Sequence, residues 1–333
     1  MHRVFVTPPL DGPATGGTLY NRQLLAAVDD SQQFSLAELP AQVSAEQVWV
    51  DSLYLAELPA LRRRLESTTR VGLLLHYLPS LLSNPQLRAA KELSDVELRA
   101  LEHADMVVTP SEYLRQLVLE LCPGKPCACV GPGVEVPQLG GEPVRDGSAL
   151  MICNVTENKG VLPFLQELAL LAPSSADFEL SIAGSLQLET AYARTCVELC
   201  QQGAWLRAHV RFVGSLPQPA LFLRLARASV LVSASRFESY GMALAEARAL
   251  GTPILALEGG NVANMLAADS GGELTRSPRA LAHALCQLMS DPRECKLRLE
   301  RARSAASVRP WRVVALEFDV VRDESLAAGS TTT

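Results

Sequence analysis

A chain of 333 residues with 48% hydrophobic content can build two domains with separate cores. Charged residues make up 20% and the formal net charge is −6, which argues against nucleic acid and against more than peripheral contact with anionic lipid. No apolar run reaches the ~18–20 residues of a membrane span.

The opening MHRVFVTPPLDG reads as a strand and a turn. It lacks the basic region, long apolar core and small-residue cleavage site of a leader, so the expected location is cytoplasmic. In the first half, short runs rich in Val, Ile and Leu predict strands near Arg3–Thr7, Phe34–Leu39, Gln47–Ser52, Val71–His76, Met106–Thr109 and Pro126–Gly131. Helical periodicity falls between them, at Gly17–Val28, Leu58–Ser67, Pro85–His103 and Ser111–Leu121. The Arg62-Arg63-Arg64 triplet reads as a solvated helix face. The stretch GVEVPQLGGEPVRDGS, near residues 134–148, has no period and reads as a linker.

Beyond it, strands are predicted near Leu150–Asn154, Phe178–Ala183, Val210–Gly214, Val230–Ser233 and Pro253–Leu257, each followed by a helix. Such alternation predicts an α/β protein of two doubly wound, Rossmann-like domains with parallel sheets. The AAGSTTT tail reads as disordered. The eight cysteines are scattered without zinc spacing and read as reduced, mostly buried thiols.

Ligands of doubly wound sheets sit outside the carboxyl ends of strands, and the polar motifs fall there. In SASRFESYGMALAEARALGTPIL, Glu238 lies on the loop after a strand and Glu246 in the second turn of the helix that follows. The N–H groups of Gly241, Met242 and Ala243 open that helix and, with its dipole, suit a phosphate. Carboxylates accept hydrogen bonds from vicinal hydroxyls, so phosphate flanked by polyhydroxyl groups describes a nucleotide sugar. Spacing alone leaves open that both glutamates are merely solvated.

Lys159, one of four lysines against 26 arginines, stands at a loop-to-helix junction in CNVTENKG, where a point charge suits a diphosphate. By position alone it could also be an exposed loop lysine. Gly16 and Gly17 follow the first strand and allow close backbone approach to a ligand, although the surrounding TPPLDGPATGG is equally a turn and is not a dinucleotide fingerprint. His76 ends a strand, where a histidine serves either a site or the core. No Ser-His-Asp order, His-Glu-x-x-His motif or Asp-x-Asp metal–diphosphate motif is present, and no metal site is expected.

SRFESYGMALAEARALGTPI resembles the E-x7-E signature of family-4 retaining glycosyltransferases. NKG before a helix, IAGS, VRFVGSLP and EGGNVANML follow in that family's order, and ADMVVTPSEYLRQ, VGPGVE and RPWRVVALEF resemble its other landmarks. The resemblance implies the GT-B fold, two Rossmann-like domains facing a central cleft. Residues 1–140 would be the acceptor-side domain, with a helix near 310–326 packing back on it, and residues 149–309 would bind the nucleotide sugar. It also implies roles. Glu238 would bind hydroxyls of the donor sugar, Glu246 the ribose, and Gly241, Met242 and Ala243 the sugar and phosphates. Lys159 would neutralise the diphosphate, Gly16 and Gly17 would lie beside the donor, and His76 near the reacting sugar.

The expected activity is metal-independent hexosyl transfer from a nucleotide-sugar co-substrate, with a UDP-sugar favoured and no further cofactor. The acceptor would be a small molecule, a glycan or a lipid-linked compound. The chain departs from the family pattern at Asn154, where an arginine usually supplies a second diphosphate cation, and at Asn264, where an acidic residue is common. Either another arginine substitutes or the activity is weak or unusual. The rival readings are a nucleotide-sugar-binding partner of an active enzyme and a GT-B enzyme of different chemistry.

Overall fold

The computed structural model describes residues 3–11, 15–137, 144–171, 177–266 and 270–329, with side chains described to Val321. It contains two units, one formed by Met1–Gly133 with Arg309–Thr333 and the other by Val134–Val308.

In the first unit, β1 (Arg3–Val6), β2 (Ser31–Phe34), β3 (Gln47–Asp51), β4 (Arg70–Leu74), β5 (Met106–Thr109) and β6 (Cys127–Cys129) form one sheet. Their order is β2-β1-β3-β4-β5-β6, and every pairing is parallel. β1, β3 and β5 are buried at every position, as expected of strands covered on both faces. The order reverses between β1 and β3, so the connections leaving these strands diverge at the point where ligands of such sheets bind.

In the first unit, two departures from the sequence expectation have clear local causes. The second strand ends at Phe34, and a turn follows because Ser35 and Glu38 bond locally: the Glu38 carboxylate accepts from Ser35 N at 3.1 Å and from its hydroxyl at 2.6 Å. The single helix expected over Pro85–His103 is instead a 3-10 turn at Ala90–Glu92 followed by the helix Asp95–His103. Ser94 caps that helix, accepting from Glu97 N at 3.3 Å while Glu97 accepts from Ser94 N at 2.8 Å. This reciprocal pair starts a new helix and fixes the break.

The last helix, Trp311–Gly329, packs on the first unit. Phe318 is fully buried against Trp49 and Phe5, with ring centroids at 4.6 and 5.9 Å. Asp319 accepts from the buried Arg3 at 2.8 Å. The helix includes Ala327–Gly329, which corrects the expectation of disorder there, while Ser330–Thr333 lie outside the described residues. So do residues 138–143 of the expected linker.

The second unit contains β7 (Ala149–Ile152), β8 (Leu180–Ala183), β9 (Val210–Gly214), β10 (Val230–Ser233), β11 (Ile254–Leu257) and β12 (Glu273–Thr275). Its order is β12-β11-β10-β7-β8-β9, again all parallel. The short β12 was not anticipated; it extends the edge beside β11. From the centre, chain order proceeds outward through β7, β8 and β9 to one edge and through β10, β11 and β12 to the other. The switch point therefore falls between β7 and β10. Two clusters of buried apolar side chains cover the two faces, one around Phe164, Leu168 and Leu285, the other around Phe222, Leu231 and Leu244.

Candidate functional site

In the second unit, the connections after β7 and β10 meet at the switch point. After β7 the chain passes through Asn154 into a 3-10 turn, Glu157–Lys159, and then Gly160, which adopts φ +63°. A Cβ on Gly160 would stand 2.1 Å from the Ala234 carbonyl, so only glycine lets the two connections press together here. They are laced by Arg236 N donating to Asn158 O at 2.8 Å and Asn158 Nδ2 donating to Phe237 O at 3.0 Å. Lys159 Nζ is thereby brought 2.6 Å from Glu238 Oε1. Burial alone would lower the lysine's pKa, but the charge and hydrogen bond of Glu238 outweigh it, and the ammonium is held above its ordinary range.

Glu238 is steadied from its other side. Its carbonyl accepts from Asn261 N at 2.8 Å, and its backbone bridges Gly260 on the connection after β11. Asn261 also donates from Nδ2 to Tyr240 O at 3.0 Å. Asn264, the position where the family pattern is often acidic, donates to Asn261 Oδ1 at 3.1 Å. The Glu238 side chain keeps 17% of its exposure and that of Lys159 26%, so the pair can be reached.

The helix that follows runs Met242–Ala249. Gly241 precedes it at φ +97°, and no side chain caps its first turn. The opening N–H groups therefore face outward with the positive end of the dipole, an arrangement suited to an anion. Glu246 sits in the second turn and is 5% exposed, so it is no solvated surface residue. Burial pushes its carboxyl up to about 7. No opposite charge offsets that effect. Asn154, at the position where a second cation was considered, uses its Oδ1 to accept from Ser185 N at 2.9 Å. It thus ties the β7 connection to the one after β8.

The first unit brings Gly16, Gly17 and His76 together at its own switch point. Gly16 and Gly17 open the helix Gly16–Ala27, which Thr15 caps by accepting from Thr18 N at 3.2 Å. A Cβ on Gly17 would stand 3.1 Å from His76 Cδ2, so the helix start lies against the imidazole. Sequence reading passed over the two side chains that hold this ring. His76 Nε2 lies 2.9 Å from Asn21 Oδ1 and 3.3 Å from Asp51 Oδ2. Asn21 Nδ2 in turn donates to Asp51 Oδ2 at 2.5 Å. The one sequence signal was Asp51 itself, an acidic residue closing the otherwise buried run QVWVD.

All eight cysteines carry thiols rather than disulfides; three are buried and five half-buried. Burial pushes Cys153, beside Lys159, up to about 12, so it stays protonated and inert. Among the described residues, no group of three His, Cys, Asp or Glu could hold a metal ion, and no helix is long and apolar enough to cross a membrane.

With this geometry in place, comparison with known proteins narrows the class. Residues 147–291 match the family described as glycosyl transferases group 1. A GDP-mannose-dependent alpha-(1-6)-phosphatidylinositol dimannoside mannosyltransferase from Mycobacterium tuberculosis is 28% identical over 148 residues, 44% of this chain and 36% of that protein. The matched segment thus spans little more than a third of that relative's length.

Among solved structures, sucrose-phosphate synthase from Thermosynechococcus elongatus superposes with a TM-score of 0.76 at 18% identity, covering 98% of this chain and 100% of that one. Anabaena HepE in complex with UDP-glucose gives 0.76 at 14% identity, covering 97% and 100%. The fold is therefore the two-domain α/β architecture of these GT-B proteins.

Proposed function

We propose that the protein is a metal-independent, retaining glycosyltransferase of family 4 that works in the cytoplasm, moving a sugar from a nucleotide diphosphate donor to an acceptor hydroxyl. The observation that carries this reading is the meeting of Lys159 and Glu238 at the second unit's switch point, beside an uncapped helix start and a buried, unneutralised Glu246. One ligand uses all of these groups. Its diphosphate takes the N–H groups of Gly241, Met242 and Ala243 and the charge of Lys159. Its ribose hydroxyls donate to Glu246, and its sugar hydroxyls to Glu238. Gly16, Gly17 and His76 form a second set of candidate groups within the first unit, which takes the acceptor-side role.

In this reading the acceptor oxygen bonds to the anomeric carbon on the face from which the diphosphate departs. The carbon–oxygen bond to the diphosphate breaks, and the acceptor's proton passes to a diphosphate oxygen. No protein nucleophile is needed. Lys159 and the helix start stabilise charge as it grows on the leaving group. A UDP-sugar is the favoured donor, supported by the HepE complexes with UDP and UDP-glucose, while the mycobacterial relative is named for GDP-mannose. Asn154 favours one alternative: a protein that binds the nucleotide sugar but turns it over slowly, as partner of an active enzyme, because it supplies no second cation.

The test is incubation with UDP- and GDP-sugars and a panel of small, glycan and lipid-linked acceptors. Nucleoside diphosphate release with a product of the donor's anomeric configuration, unaffected by EDTA, is expected. An inverted product or activity that needs added magnesium overturns the mechanism. Binding without release in any combination favours the alternative.

A further inference from the structure

The cluster under His76 is more elaborate than a packed histidine requires. A carboxylate can only accept hydrogen bonds, so the Asn21 atom at Asp51 must be the amide nitrogen and the Asn21 atom at His76 the carbonyl oxygen. His76 Nε2 consequently faces two acceptors, Asn21 Oδ1 at 2.9 Å and Asp51 Oδ2 at 3.3 Å. A ring nitrogen so placed carries a proton. The neutral imidazole is then the Nε2–H form with its lone pair on Nδ1. Among the described residues, Nδ1 has no hydrogen-bond partner. Gly17 against Cδ2 and Tyr20, edge-on at 5.1 Å, hold the ring's orientation.

Asp51 is itself fixed. It is buried, its Oδ1 accepts from Leu53 N at 2.6 Å, and its Oδ2 accepts from Asn21. Burial would raise its pKa, but His76, Leu53 and Asn21 together hold it below the ordinary carboxylate value, so the charge persists. The other ionisable groups about the ring are Tyr20, which donates to Val130 O at 2.9 Å, and Tyr77, next in sequence; burial raises both, and both stay neutral. The position matters too, because Asp51 ends β3 and Gly16 and Gly17 follow β1, the strands between which the sheet order reverses.

We propose that Asp51, steered by Asn21, is a positioning residue for glycosyl transfer: it locks His76 as the Nε2–H tautomer and so presents Nδ1 to accept a hydrogen bond from a substrate hydroxyl. This rests on the function proposed above. Without the carboxylate the imidazole divides between two tautomers, and the wrong one puts an N–H where the hydroxyl needs a lone pair.

The test uses full-length protein with 15N-labelled histidine. Long-range 1H–15N spectra are recorded at alkaline pH, with His76 assigned among the five histidines by its loss in His76→Gln. The wild type should show a proton on Nε2 and a bare Nδ1. Asp51→Asn should lose that pattern and lower kcat by ~10²-fold, with the donor KM within about twofold. Asn21→Ala should move both readouts the same way. If Asp51→Asn fails to fold, the wild-type spectrum and Asn21→Ala decide.

A proton on Nδ1 in the wild type, wild-type kcat in folded Asp51→Asn, or lost kcat with an unchanged tautomer would overturn the role of Asp51. A wild type that transfers no sugar although its spectrum shows the Nε2–H ring would instead overturn the glycosyltransferase reading, and the catalytic part of this proposal with it.

Discussion

Lys159 and Glu238 form a 2.6 Å ion pair across two connections that are 79 residues apart in sequence. An incoming diphosphate must therefore compete with Glu238 for the ammonium. Lys159→Ala should reduce transfer at least ~10²-fold, as expected when a donor to a developing negative charge is lost. Glu238→Gln should behave differently. It releases the lysine and should tighten binding of UDP alone, by about 1 kcal/mol, while turnover falls. Calorimetric titration of UDP against both variants checks this. Full activity in Lys159→Ala, or weaker UDP binding in Glu238→Gln, would contradict the assignment.

Glu246 should trade stability for binding. Its folded pKa of about 7 exceeds the ordinary 4.5, so the folded state holds the proton more tightly than the unfolded one. Its effect on stability is neutral below pH 4.5, turns increasingly unfavourable from there to about 7, and is constant above. Glu246→Gln, which never ionises, should therefore match the wild type near pH 4 and exceed it at pH 8, by roughly 3 kcal/mol at most. The same variant should bind a nucleotide sugar more weakly through the loss of a charged acceptor, by about 1.5–3 kcal/mol. Thermal melts from pH 4 to 8, with and without donor, measure both. A variant that is less stable at pH 8 would mean that Glu246 is partnered in the free protein.

Much of the second unit was legible because its chemistry is local. The uncapped start at Gly241, and Glu246 one turn beyond, follow from a strand, a loop and a helix within twenty residues. The pairing of Lys159 with Glu238 did not follow, since it depends on β7 and β10 lying side by side although two strands intervene in sequence. Asn21 and Asp51 were missed for the same reason: a helix after β1 meets His76 only because β1 neighbours β3 and β3 neighbours β4. The break within Pro85–His103 was misread although its signal was local, since Ser94-Asp95-Val96-Glu97 is a capping box that periodicity overrode.

That capping box yields a stability prediction. Glu97 is fully buried and accepts from the backbone N–H groups of Ser80 and Ser94, each at 2.8 Å, and from both serine hydroxyls. It thereby fastens the segment just after His76 to the Asp95–His103 helix. Burial would raise its pKa, but these four donors outweigh that and hold it below the ordinary 4.5. Its stabilisation is thus complete above about pH 4.5 and lost as pH falls through the lower, folded value. Glu97→Ala should cost about 2–3 kcal/mol at pH 7 by removing the charged acceptor of four hydrogen bonds, and this difference should shrink in acid. Urea titrations at pH 7 and pH 3 provide the comparison; a cost that does not depend on pH would contradict the linkage.

Asn154 gives the last prediction, and here binding and stability pull in opposite directions. Its Oδ1 holds Ser185 N at 2.9 Å, which keeps the connections after β7 and β8 together. Asn154→Arg forfeits that bond, and melting should register a loss of about 1 kcal/mol. It also adds a second cation near Lys159, on the connection where the leaving diphosphate is proposed to lie. UDP should then bind more tightly, with a steeper salt dependence than in the wild type, because the added interaction is between charges. Turnover separates the two readings of the protein. If the wild type is an active enzyme, Asn154→Arg should raise or preserve transfer. If the wild type binds the donor without turning it over, the arginine should create measurable release of nucleoside diphosphate. Unchanged UDP affinity in a folded Asn154→Arg variant would mean that no diphosphate approaches this connection, and it would remove the phosphate site from Lys159 as well.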